Sequence, residues 1–408
     1  MVGKNVARAV VALLALAGLS ANAFARVYTG IEVLRADSFD ILRGRRVGLV
    51  TNATGVDADL RSTADILFAA DSVELVALFA PEHGIRGQVE AGARVPETVD
   101  PVTGLPVHSL HGKTRRPTAD MLRGIDVLVY DIQDIGCRSY TFISTLYLVM
   151  REAALRDVEV VVLDRPNPLG GEKVEGSLVE EDCRSFVSQC DVPYLYGLTV
   201  GELALYLNQD IRCRLRVVPM RGWRRSMLFA DTGLPWVPAS PHIPYSGTAL
   251  YYPATGILGE LSLVSVGVGY TLPFQTVAAP WISADTLAAK MNARTLPGVR
   301  FRPIHYKPYY GLFSGVAVEG VQLYITDFRV ARLTEIQFEV FDALREMYPS
   351  RPFWNEVTSG RWDMFDKVTG GKRYRSLLLH GSLADMLAAW RSGASLFRER
   401  SAPFRLYE

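Results

Sequence analysis

The chain has 408 residues, 49% of them hydrophobic, and its 44 lysines and arginines against 43 aspartates and glutamates leave a formal net charge of +1. Charges that cancel this closely exclude the basic footprint of a nucleic-acid binder or of a protein held on an anionic membrane surface. The partner to expect is a small or polymeric ligand.

Lys4 and Arg8 precede an apolar stretch from Ala9 to Gly18 and the small-residue pattern Ala23-Phe24-Ala25. Together they read as a secretory signal peptide over residues 1–25, cleaved after Ala25. The stretch is short of the roughly 20 apolar residues that a membrane span needs, and nothing later approaches that length. The expectation is an exported protein, periplasmic or extracellular, without stable membrane insertion. Its mature part, about 380 residues, suggests two domains on a prior of roughly 100–200 residues each. Four cysteines in an exported chain permit disulfides, and Cys183 and Cys190 are close enough in sequence to staple one loop. There is no C-x-x-C pair, so no structural metal is expected.

From residue 45 to about residue 220, short β-rich runs alternate with helical segments, the signature of βα units around a mostly parallel sheet. Four runs end in polar clusters. Val47 to Val50 opens onto Thr51-Asn52, and Leu75 to Ala80 onto Pro81-Glu82-His83-Gly84. Val127 to Val129 opens onto Tyr130-Asp131-Ile132-Gln133-Asp134, and Val158 to Leu163 onto Asp164-Arg165-Pro166-Asn167-Pro168. Open parallel sheets bind ligands beyond the carboxyl ends of their strands, so these clusters should converge on one site. Helices are expected at 62–70, 118–124, 144–154 and 200–207. Thr199 and Glu202 form the T-x-x-E of a capping box, the reading preferred for Glu202 over a catalytic one.

After Trp223, Pro235, Pro238, Pro241, Pro244 and Pro253 crowd a segment expected to cross between domains as a loop. Beyond it, a helix at 284–292, a strand at 316–325 and helices at 334–348 and 382–392 make a smaller α+β domain. The fold class is therefore α/β: a Rossmann-like, mostly parallel sheet domain over residues 26–245, then an auxiliary α+β domain over 246–408. No internal repeat or low-complexity tract is visible, which sets aside solenoids and disordered arms.

The chemistry concentrates at the strand ends. Glu82 stands between Pro81 and His83-Gly84, ahead of Ile85-Arg86-Gly87. Glycines there let the chain turn sharply toward a ligand, and a partly desolvated carboxylate has its pKa raised toward the range of a general acid. An ion pair with Arg86 is the plainer alternative. From Tyr130 to Phe142, Asp131, Gln133, Asp134, Arg138, Ser139, Tyr140 and Thr141 put two carboxylates, a guanidinium and a phenol on one loop held by a rigid sheet. An internal pair such as Asp134 with Arg138 is the competing reading. Asp164, Arg165 and Asn167 lie in the fourth cluster without G-x-G-x-x-G or a P-loop, so no nucleotide cofactor is expected. His108 and His111, three apart in a Pro- and Gly-bounded loop, read as surface or packing residues rather than metal ligands. No G-x-S-x-G elbow supports a serine hydrolase.

These same residues fall in long motifs: FAPEHGIRG at 79–87, DPVTGLPVHSLHG at 100–112, YDIQDIGCRSYTF at 130–142, LDRPNPLGGEKVEG at 163–176, YGLTVGELA at 196–204 and SPHIP at 240–244. Through them the chain resembles a bacterial family first catalogued as a domain of unknown function and associated with exo-acting β-N-acetylmuramidases of peptidoglycan turnover. The likeness runs to the closing Phe404-Arg405-Leu406-Tyr407. It implies a Rossmann-like catalytic domain, an auxiliary domain and an active site in the cleft between them. Glu82 falls on the family's leading catalytic candidate. Asn52, His83, Arg86, Gln133, Arg138, Asp164, Arg165, Asn167 and His242 become substrate contacts. The chain departs from the family where E-G-T-N and G-R-G-T are usual, showing Gly259-Glu260-Leu261-Ser262 and Gly267-Val268-Gly269-Tyr270 before Pro273-Phe274. Val268 in place of an arginine is not a conservative change.

The resemblance implies an exported glycosidase that removes N-acetylmuramic acid from the non-reducing ends of peptidoglycan-derived saccharides. Glu82 would be the proton donor, Asp131 or Asp134 the second carboxylate, and Tyr140 would stabilise charge or orient the sugar; the substrate's own acetamide is the other route. Reading the lactyl carboxylate of muramic acid requires a fixed cation, and Arg86, Arg138 and Arg165 are the candidates. Two other classes stay open: a non-catalytic muropeptide-binding protein, and a metal-dependent hydrolase built on the strand-end aspartates and His83.

Overall fold

The structure, a computed structural model, describes residues 26–86 and 93–408. The expected signal peptide and Gly87 lie outside the described residues. Helix α1 (Gly30–Ala36) leads into a sheet of seven strands: β1 (Arg46–Thr51), β2 (Glu74–Ala80), β3 (Thr98–Val99), β4 (Pro106–Ser109), β5 (Val127–Asp131), β6 (Glu159–Leu163) and β7 (Leu215–Val218). Their order is β3-β4-β2-β1-β5-β6-β7, parallel throughout except for the β3–β4 edge. β5 and β6 are buried along their whole length and β1 at all but its first residue. Strands covered on both faces need no polar alternation, which is why they read as unbroken valine and leucine runs.

Helices α2 (Thr63–Phe68), α3 (Phe142–Ala154) and α4 (Val200–Ile211) flank this sheet. α4 opens with the capping box expected from Thr199 and Glu202. Glu202 also receives the Arg225 guanidinium at 2.7 Å and the Leu406 N–H at 2.8 Å, so this fully buried carboxylate anchors the returning C-terminus as well as a helix. Residues 118–124, expected to be helical, form turns instead. The six residues between Pro117 and Gly124 close as successive turns, ended by Gly124 at φ +73°.

The second region begins with helix α5 (Thr248–Glu260), where a proline-rich loop was expected to run on through Pro253. An interior proline normally breaks the ladder of backbone bonds. Here the buried Gln337 side chain splices it: Nε2 donates to the Pro253 carbonyl at 3.0 Å, and Oε1 accepts from the N–H groups of Ile257 at 2.9 Å and Leu258 at 3.2 Å. Strands β8 (Thr276–Ala279), β9 (Val299–Tyr306) and β10 (Val318–Ile325) form an antiparallel sheet in the order β8-β10-β9. Around it lie α6 (Ala284–Ala293), α7 (Ile336–Met347), α8 (Ser359–Thr369), α9 (Lys372–His380), α10 (Leu383–Arg391) and α11 (Ala394–Ser401). Phe338, Phe341, Phe353, Phe365 and Trp390 fill its core. The tail then returns to the first sheet: Phe397 and Phe404 pack edge-on against Tyr206, and the Tyr407 hydroxyl donates to Asp164 at 2.5 Å.

The expected Cys183–Cys190 staple is corrected by the structure, since Cys137, Cys183, Cys190 and Cys213 are all buried free thiols. The loop is held instead by backbone pairing of Ser185 with Ser188 and by the Ser188 hydroxyl donating to the Lys367 carbonyl at 2.6 Å. Burial pushes the Cys190 thiol up to about 12 and that of Cys183 to about 11.

Candidate active site

The strand order reverses between β1 and β5, the place where an open α/β sheet ordinarily holds its ligand. That crevice is filled by the protein itself. Phe229 and Trp236 line one small pocket with Thr54, Gln133 and Arg165 there. The strand-end groups beneath are cross-linked to one another. Asn52 Oδ1 accepts from the Thr54 N–H at 2.9 Å, the Gln133 N–H donates to Thr54 Oγ1 at 2.8 Å, and Gln133 Nε2 donates to the Pro166 carbonyl at 2.7 Å. Asn167 spans the Leu198 carbonyl at 2.9 Å and the Leu169 N–H at 2.9 Å. Its amide also lies where a Cβ on Gly136 would sit, 2.3 Å from Oδ1, which explains a glycine at φ +77° in that turn.

Several expected site residues therefore belong to the scaffold. Asp131 is fully buried, with both oxygens on the Arg165 guanidinium and one also accepting from Thr63 Oγ1. The pair is self-satisfied, which removes Asp131 from the role of second catalytic carboxylate and Arg165 from that of lactyl reader. Asp164 accepts from the Gly201 N–H at 2.8 Å and Thr199 Oγ1 at 2.7 Å, capping α4 at its positive end. Arg138, also fully buried, donates through Nη1 to the carbonyls of Ser177 at 2.5 Å and Val192 at 2.8 Å, and through Nη2 to those of Val368 at 2.9 Å and Thr369 at 2.8 Å. It closes the last turn of α8 and ties the two regions together, so the expected substrate contact and the Asp134–Arg138 pair are both corrected. Asp134 accepts instead from Tyr196 and, at 2.7 Å, from the Gly136 N–H. Its other oxygen is buried without a partner among the described residues, and burial lifts its pKa to about 6.

This stapled platform presents the next residues of the β5–α3 loop toward the end of β2. Thr141 Oγ1 donates to Glu82 Oε2 at 2.6 Å, and His111 Nε2, from the loop after β4, stands 4.0 Å from Glu82 Oε1. His83 follows in the left-handed region at φ +72°, a conformation costly for a side-chain-bearing residue and found where a site dictates it. Its ring is buried edge-on to Phe142. Tyr140 packs edge-to-face on Phe142 at 5.0 Å and on Tyr252 of α5 at 5.9 Å, so its ring has one orientation. Its hydroxyl lies near Ser240 but closes no hydrogen bond of acceptable geometry among the described residues. Burial first, then the Asp134 and Glu82 charges, raise its pKa and keep it a proton-bearing donor.

His242, from the segment before α5, and Tyr310 of the second region complete the wall. His242 stacks on Tyr310 and shares a 3.1 Å hydrogen bond with its hydroxyl. Burial and the neighbouring His83 lower the His242 pKa. His111 is lowered too, by burial above all, with Arg115 and His83 acting in the same direction and Glu82 against them. The cleft thus joins a carboxyl group to hydrogen-bonding side chains that are neutral at neutral pH, an arrangement suited to proton transfer onto a leaving group. Arg86, expected as a partner of Glu82, pairs instead with Asp100 at 2.9 Å.

Glu82, His83, Tyr140 and His242 are the expected residues that the fold brings together. The sequence shows Thr141 only as one member of a polar loop and His111 only as a surface or packing residue, because spacing along one chain does not show that its carboxylate comes from a neighbouring strand. His108 does pack, tilted on Phe79 at 5.2 Å. Ser139 lies between the hydroxyls of Tyr194 at 3.0 Å and Tyr252 at 3.1 Å, with no histidine hydrogen bond among the described residues. Among the described residues, three metal-ligating atoms converge only at Glu180, Asp182 and Cys183, and Asp182 there is held by Lys372. No membrane-length apolar helix occurs among the described residues.

Residues 47–246 match the N-terminal model, and residues 250–407 the C-terminal model, of the exo-beta-N-acetylmuramidase NamZ family. The peptidoglycan beta-N-acetylmuramidase NamZ of Bacillus subtilis (strain 168) is 38% identical over 385 residues, covering 94% of this chain and 92% of that one. A crystal structure of a DUF1343 family protein from Bacteroides fragilis NCTC 9343 is similar with a TM-score of 0.90 at 51% identity, over 94% of this chain and 99% of that one. A second DUF1343 family protein from the same strain gives a TM-score of 0.70 at 26% identity over the same shares.

Proposed function

The chain belongs to the exo-beta-N-acetylmuramidase NamZ family and is a glycoside hydrolase, and from that premise we propose that it releases N-acetylmuramic acid from the non-reducing ends of peptidoglycan fragments during cell-wall turnover, outside the cytoplasm. The observation that carries this reading is the Glu82 carboxyl group at the mouth of β2, fixed by Thr141 at 2.6 Å and faced by His111. The signal-like composition of residues 1–25 supports the compartment.

In this mechanism protonated Glu82 gives its proton to the glycosidic oxygen as the bond from that oxygen to C1 breaks, the bonding pair leaving with the oxygen. A second carboxylate would be needed to trap C1 directly or to activate water. Asp131 is spent on Arg165 and Thr63, and Asp134 is buried and held by the Tyr196 hydroxyl and the Gly136 N–H. The nucleophile is therefore the substrate's own acetamide carbonyl oxygen, which bonds to C1 and forms a cyclic oxazolinium. The Tyr140 hydroxyl, buried near Ser240 and closing no hydrogen bond among the described residues, orients that acetamide. Water then attacks C1 as the bond from C1 to the acetamide oxygen breaks and its electron pair returns to that oxygen, the water's proton passes to the Glu82 carboxylate, and the product keeps the substrate's anomeric configuration.

Turnover of a chromogenic N-acetylmuramic acid glycoside tests the activity and separates it from a binding protein that has lost catalysis. Unchanged rates in a chelator set it apart from a metal-dependent hydrolase. The first-formed anomer, seen by proton NMR, tests the acetamide step; an inverted product would overturn it.

A further inference from the structure

We propose that Arg115, seated on the face of Phe186, forms the anion subsite that takes the lactyl carboxylate of the substrate; the proposal rests on the muramic acid reading above. Of the three arginines that the strand-end sequence offered, Arg138 is buried under four carbonyls, Arg165 is paired with buried Asp131, and Arg86 is paired with Asp100, itself fixed by the Thr103 N–H at 2.9 Å and hydroxyl at 3.0 Å. Their donors are committed. Arg115 is different: it is exposed, among the described residues it forms no ion pair, and its Cζ lies over the Phe186 ring at 4.4 Å.

A guanidinium stacked on an aromatic face keeps its edge N–H groups pointing outward in one plane, the geometry that a carboxylate accepts two at a time. The backbone that carries it is fixed on both sides. Thr114 Oγ1 donates to the Arg116 carbonyl at 2.8 Å and accepts from its N–H at 3.1 Å, and the Arg116 guanidinium pairs with Glu152 of α3 at 3.0 Å. The same loop supplies His111, whose ring packs on the same Phe186 at 6.0 Å and reaches Glu82. Phe186 is thus a shared floor, with the catalytic carboxyl beyond one neighbour and an uncommitted cation on the other. His111 feels both charges, Glu82 raising its pKa and Arg115 lowering it. His111 Nδ1 is nine-tenths buried and unpartnered among the described residues, a second polar atom left for a ligand in this corner.

The test compares a nitrophenyl glycoside of N-acetylmuramic acid with its lactyl methyl ester, which keeps shape and loses charge. Arg115→Ala should raise KM for the acid about 10- to 100-fold, the loss expected of a charge-assisted hydrogen-bond pair, and leave the ester unaffected. Arg115→Lys should fall between, since it keeps charge without the fork. Lys113→Ala, which removes a neighbouring charge on the same loop, should behave as the parent. An Arg115→Ala variant, folded by circular dichroism, that keeps the parent's preference for acid over ester overturns the subsite alone. A matching loss in Lys113→Ala also overturns it, by showing a diffuse field in place of a seat. A parent enzyme inactive on the muramic acid glycoside overturns the muramidase reading and the subsite with it.

Discussion

Replacing Arg138 by methionine separates a structural tie from a substrate contact. The guanidinium meets four carbonyl oxygens at 2.5 to 2.9 Å, and Thr369 O keeps a second donor in the Ser177 hydroxyl at 3.0 Å. Three acceptors, those of Ser177, Val192 and Val368, are then left unsatisfied in the interior. Each costs about 1–3 kcal/mol, and release from burying a charge returns part of the sum, so a net loss of about 3–5 kcal/mol is expected. At roughly 2–4 °C per kcal/mol for domains of this size, the unfolding midpoint should fall by about 6–20 °C. Thermal unfolding followed by circular dichroism measures it, beside KM for a muramic acid glycoside below the transition. KM should hold. A variant as stable as the parent that binds the acid more weakly would refute the assignment of Arg138 to the scaffold.

Asp134 should leave a signature in the pH dependence of stability. Burial raises its folded pKa to about 6, above the 3.8 of an ordinary aspartate, so its contribution is fully present below about pH 4 and is lost as pH rises through 6. Asp134→Asn should flatten the fall in stability between pH 4 and 7 by on the order of 2 kcal/mol, and equal slopes for parent and variant would contradict the burial argument. Thr141→Val keeps shape but withdraws the donor from Glu82, and kcat should drop about tenfold with KM little changed and Thr141→Ser restoring it. A rise in KM at constant kcat would instead make Thr141 a binding group. N-terminal sequencing of the protein recovered from its producing cell should begin at Arg26, and an intact Met1 would contradict export.

What could be read from the sequence was what local rules control. The βα alternation was visible because β5 and β6 are covered on both faces, and the start of α4 because Thr199 and Glu202 satisfy backbone donors within one turn. The turn alone leaves Glu82 balanced between a general acid and an ion pair with Arg86, and the likeness of its P-E-H-G motif to the family's is what singles it out. The polar residues around it could not be sorted in the same way. An aspartate or arginine at a strand end looks alike whether it faces a ligand or a buried partner, and the partners are remote in sequence: Arg165 for Asp131, α8 for Arg138, Tyr196 for Asp134. Pro253 misled for the same reason, because the helix it interrupts is completed by Gln337, 84 residues away. Arg115 escapes a reading along the chain because nothing there marks an arginine that sits on the ring of Phe186, 71 residues away.

The most direct test of Glu82 as the proton donor is Glu82→Gln assayed on two substrates, a muramic acid disaccharide with a poor sugar leaving group and a dinitrophenyl glycoside whose leaving group needs no proton. The amide preserves shape and cannot donate the proton, so kcat on the disaccharide should fall by about 10²- to 10⁴-fold with the fold intact, while the activated glycoside loses far less. Parent-like kcat on the disaccharide in a well-folded variant, or equal losses on both substrates, would contradict the assignment.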